Sequence, residues 1–155
     1  MVESKFFTLS DDSSDESREF ASFVSGITAT GGGDAPENAL EALAIAMNSD
    51  WVRTGSVRRH VIHLYTDAPA LALGARKESA NYPADMPADL AELREWWEGQ
   101  TMEKRAKRLQ IFAPDAEPWP EFLTWTNTVV TPSKAGAGCP EADTDTCIHL
   151  LVQSI

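Results

Sequence analysis

The side chains able to do chemistry gather in two short stretches. Thr30-Gly31-Gly32-Gly33-Asp34-Ala35-Pro36-Glu37 sets two carboxylates, Asp34 and Glu37, in a glycine-rich loop. Its glycines allow positive φ and a close approach of backbone to ligand. Thr66-Asp67 closes the run His60-Val61-Ile62-His63-Leu64-Tyr65. Carboxylate and hydroxyl oxygens are hard donors, so the chemistry they suit is coordination of Mg²⁺, Mn²⁺ or Ca²⁺ rather than Zn²⁺ or copper.

Two elements must position these groups. Pro36 suits the first turn of a helix and Asp34 is placed to cap it. Leu40, Leu43, Ala44, Met47 and Trp51 then recur at helical spacing, which predicts a helix ending about Trp51 that buries one face and holds Glu37 still. The 60–65 run has little polar alternation and reads as a strand buried on both faces of a parallel sheet. Asp67 then falls at the carboxyl end of that strand, where open α/β sheets bind ligands.

The remaining chain alternates in the same way. A short strand is expected at 6–9, a solvated acidic turn over 11–17, and a helix packed on the sheet through Phe20, Phe23, Val24 and Ile27. Residues 69–87 form a long Ala- and Pro-rich loop leaving the same sheet edge as Asp67, a candidate wall of a binding face. A helix over 89–102, a strand over 109–114, a short helix flanked by Trp119 and Trp125, a strand over 127–130 and a stretch 141–155 that ends in an amphipathic helix through Ile148, Leu151 and Val152 follow. Strand and helix in alternation predict one α/β domain over 1–155, with a mostly parallel sheet and helices on both faces.

At these residues the chain resembles the von Willebrand factor type A domain. Thr66-Asp67-Ala68-Pro69 looks like that family's strand-end aspartate motif, and Gly31 to Leu43 looks like its second loop. Within that loop, Asp34-Ala35-Pro36-Glu37 is similar to the integrin beta-chain form. The resemblance continues through Ser49-Asp50-Trp51 and the 107–114 strand to Ser154-Ile155. It implies a Rossmann-like three-layer sandwich and a metal-ion-dependent adhesion site. Asp67 and Glu37 would be its metal ligands, and Asp34 would support a neighbouring calcium or the loop. The implied function is a protein-interaction module, not an enzyme, that grips a partner's acidic side chain through Mg²⁺ or Ca²⁺.

The family's first metal loop, Asp-x-Ser-x-Ser, has no counterpart here. The nearest stretch, Asp11-Asp12-Ser13-Ser14-Asp15-Glu16-Ser17, lacks that spacing. Two or three carboxylates without the serines would hold a divalent ion weakly, with several waters. The family's first strands are missing with the loop, which leaves the strand ending at Asp67 an open edge. Such an edge invites pairing, so either the 6–9 strand moves in beside 61–65 or two chains share the edge in a homodimer.

Composition narrows the alternatives. The 155 residues are 43% hydrophobic and 24% charged, as in a globular domain, and the net charge of −11 disfavours nucleic acid and anionic membrane as partners. No signal-peptide or membrane-spanning pattern is read, so a cytoplasmic location is expected. Cys139 and Cys147 lack the close pairing of zinc ligands, with no other Cys or nearby His to complete a set, and are expected as free thiols. His60 and His63 read as hydrogen-bonded structural residues, since no nucleophile motif accompanies them. Two other functions fit the same carboxylates. One is a metal-free scaffolding domain in which Asp34, Glu37 and Asp67 cap and order loops. The other is a Mg²⁺-dependent phosphohydrolase with Asp67 as nucleophile, although Pro69 stands where a second acid belongs.

Overall fold

The computed structural model describes residues 14–28, 35–55, 59–99 and 102–153. The chain divides into two compact units, Met1–Gly33 and Asp34–Ile155. In the first, helix α1 (Ser14–Gly26) carries an Asp15–Arg18 ion pair one turn apart, with Phe20 and Val24 exposed. The expected 6–9 strand, residues 11–13 of the acidic turn and the glycine loop including Asp34 lie outside the described residues.

The second unit is built on a three-stranded, all-parallel sheet with helices, an α/β arrangement. Its strands are β1 (His60–Tyr65), β2 (Lys107–Pro114) and β3 (Thr128–Ser133), in the order β1-β2-β3. Register pairs His63 with Gln110 and Tyr65 with Phe112. One sheet face carries Ile62, Leu64, Leu109, Ile111 and Ala113. It packs against Leu40, Leu43 and Met47 of α2 (Ala39–Met47), Leu93 and Trp97 of α3 (Leu90–Glu98), and Trp119 and Phe122 of a 3-10 helix (Trp119–Thr124). The other face carries His63, Tyr65, Gln110 and Phe112, and α4 (Thr144–Gln153) meets it through Cys147.

The strand buried on both faces is β2, flanked by a neighbour on each side; β1 is not. In β1 burial alternates, ending with a half-exposed Tyr65, because among the described residues only β2 pairs along it. Helix α2 is also shorter than expected. Glu37 donates its N–H to Pro69 O (2.9 Å) and accepts from Leu71 N–H (2.8 Å), a strand-like bridge that bars it from a helical turn. Pro36, joined to Ala35 by a cis peptide bond, therefore precedes the helix rather than opening it, and Asn38 is the N-cap.

Local chemistry sets the other helix ends. Asp89 caps α3 by accepting from Glu92 N–H (2.9 Å), while the Glu92 carboxylate accepts from Ala88 N–H (2.7 Å). At α4 Asp143 accepts from both the N–H and the hydroxyl of Thr146, and these bonds hold its carboxyl below the usual range. That cap sets the start of α4 at Thr144.

Candidate functional site

The end of the sheet that carries Asp67 is fixed from several directions. Beyond β1, Thr66 donates its N–H to Phe112 O (2.9 Å) and its hydroxyl accepts from Ala68 N–H (3.3 Å). Ala68 O takes the indole N–H of the fully buried Trp119 (2.9 Å). Asp67 itself reaches across to the loop after β3. Its main-chain oxygen accepts from Gly136 N–H (2.8 Å) and its Oδ2 from Gly138 N–H (2.9 Å). Both glycines sit at positive φ (67° and 74°), the conformation that turns their amides toward Asp67.

Glu37 arrives at the same end. Its bridge partner Ala70 lies three residues beyond Asp67, so backbone pairing brings the two predicted ligands to one edge. Glu37 is exposed and Asp67 partly so. The third predicted ligand, Asp34, lies outside the described residues. Among those described, no three His, Cys, Asp or Glu side chains come close enough to hold a metal ion. Beside the bridge is a mostly apolar hollow of about 260 Å³ lined by Leu40, Ala70, Leu71, Leu73, Leu90 and Pro118, with Asp89 and Glu117 also on its wall.

The 69–87 loop is anchored from beneath by Glu41, a buried carboxylate on the first turn of α2. Glu41 Oε1 accepts from the Tyr82 hydroxyl (3.3 Å) and from Gly74 N–H (3.3 Å), and Tyr82 Oη accepts from Gly74 N–H (3.0 Å). Burial, followed by the Glu41 charge, pushes the Tyr82 hydroxyl pKa up.

His60 is the structural residue expected: it is buried, its Nε2 lies 2.8 Å from Val52 O, and its ring packs on Trp51. His63 is not simply that. Its Nδ1 lies 3.3 Å from Tyr65 Oη, which in turn lies 3.3 Å from Cys147 Sγ. Burial lowers the His63 pKa and keeps its imidazole neutral. Burial and then the neighbouring Cys147 push the Tyr65 hydroxyl up to about 12. Both cysteines are free thiols, as expected.

Sequence reasoning missed this His63-Tyr65-Cys147 group, and also Lys107. Strand spacing of two already set His63 and Tyr65 on one face, but nothing local signals a thiol 82 residues from Tyr65. Lys107 is fully buried, its ammonium donating to Trp97 O and lying 4.7 Å from the centroid of the Trp97 ring. Desolvation lowers its pKa. No protein-family model, curated protein or solved structure matches this chain.

Proposed function

We propose that this chain is a protein-interaction module of the von Willebrand type A kind, built as a Rossmann-like three-layer sandwich. Its working face is the sheet end bearing Glu37 and Asp67. The observation that carries this reading is the Glu37–Ala70 bridge, which brings a glycine-loop carboxylate to the strand-end aspartate. The Asp67 and Glu37 carboxylates, with Asp34 from the same loop, hold Mg²⁺ or Ca²⁺ weakly. Water and an acidic side chain of the partner protein complete the shell. The adjoining apolar hollow receives a partner's side chain. The outer edge of β1 pairs with a second copy, and the free thiols fit a reducing, cytoplasmic setting.

Calorimetric titration with Mg²⁺, Mn²⁺ and Ca²⁺ tests the metal. Heat in the wild type that vanishes in Asp67→Ala supports it; no heat in either refutes it. One observation favours a second reading, a metal-free scaffolding domain: Asp67 already spends both its carbonyl and Oδ2 on the 134–138 loop. A melting temperature indifferent to every divalent ion would select that reading.

A further inference from the structure

We propose that His63 Nδ1, Tyr65 Oη and Cys147 Sγ form a site for a borderline-soft divalent metal of the Zn²⁺ class, separate from the hard-oxygen end of the sheet. The three atoms come from two elements, β1 and α4, and from neighbouring positions on one sheet face. Imidazole nitrogen and thiolate sulfur are the donors this ion class selects. With metal–nitrogen and metal–oxygen bonds of about 2.0–2.1 Å and a metal–sulfur bond of about 2.3 Å, neighbouring ligand atoms in a tetrahedral shell lie about 3.3–3.6 Å apart. Tyr65 Oη stands 3.3 Å from each of its neighbours, so two edges of such a tetrahedron are already close to length.

The surroundings agree with entry and binding. Tyr65 is 50% exposed, so water can reach the group and supply the fourth ligand. Its ring is stacked between His63 and Phe112, at 6.0 and 5.1 Å, which fixes the donor end. Cys147 and Tyr65 each have to lose a proton to bind: the thiol, the phenol and M²⁺ give thiolate–metal and phenolate–metal bonds and release two H⁺.

Co²⁺ is the probe, because a cobalt–thiolate bond announces itself by charge-transfer absorption. The full chain should bind Co²⁺ with that band, Zn²⁺ should displace it, and two protons should appear per metal bound at this site in calorimetry run in two buffers. Cys147→Ser should lose the band, and His63→Gln should weaken binding by at least about tenfold. Tyr65→Phe should weaken it less, while Cys139→Ser should leave it unchanged. In the wild type, Zn²⁺ should also slow alkylation of Cys147 several-fold without protecting Cys139, a readout that needs no variant to fold. Absence of the band, its survival in Cys147→Ser, undiminished Co²⁺ affinity in His63→Gln, loss of the band in Cys139→Ser, or equal protection of both thiols overturns the site.

Discussion

Asp67 is the residue on which loop order and metal binding can be separated. Its main-chain oxygen holds Gly136 N–H and its Oδ2 holds Gly138 N–H, so one of the two bonds survives any side-chain change and the other does not. A hydrogen bond to a charged acceptor is worth about 1.5–3 kcal/mol when buried. Exposure of this one reduces that to about 1 kcal/mol for Asp67→Ala, with the chelator EDTA present. For a chain of this size the melting temperature falls by about 2–4 °C. Amide exchange at Gly138 rises about fivefold, and Gly136 stays nearer its wild-type protection. Asp67→Asn retains an oxygen that accepts from Gly138 N–H, so its melting temperature and exchange stay near wild type, yet it loses the charge a divalent ion requires. Hydrogen exchange read by NMR, beside thermal melts, decides the matter. Equal loss in Asp67→Asn and Asp67→Ala, or equal deprotection of Gly136 and Gly138, refutes the reasoning.

Alkaline pH acts on the fold in opposite directions through two groups. Lys107 has a lowered folded pKa, so the unfolded chain binds the extra proton. Stability therefore rises with pH toward about 10, and Lys107→Met flattens that slope in denaturant unfolding at several pH values. Tyr65 is raised from 10.0 to about 12, so its contribution is full below 10.0 and is lost as pH climbs toward 12; Tyr65→Phe removes that loss. Tyr82→Phe deprives Glu41 of a buried partner and costs about 1–2 kcal/mol by chemical denaturation. Gly99→Ala sets a Cβ 2.8 Å from Glu95 O, the carbonyl that ends α3, and costs about 1–2 kcal/mol in the same assay.

Much of the framework was legible because it is local. Apolar spacing alone marks α3, β2 and β3. The run from His60 to Tyr65 fixes where β1 stops, hence that Asp67 follows its carboxyl end. Extra length at β3 was harder to read, since Pro132 is a poor strand signal. Pro132 is tolerated because β3 lies at the edge of the described sheet.

By itself the sequence determined an α/β chain with a carboxylate at a strand end and another beside a helix start. Those follow from side chains a few residues apart along one element. Only the tertiary structure decided that β2, not β1, is the buried strand, that Glu37 pairs with Ala70 instead of entering a helix, and that Cys147 meets Tyr65. The physical reason is that strand order, burial of a lysine and contact across 82 residues are set by what the rest of the chain packs against. No local spacing carries that information.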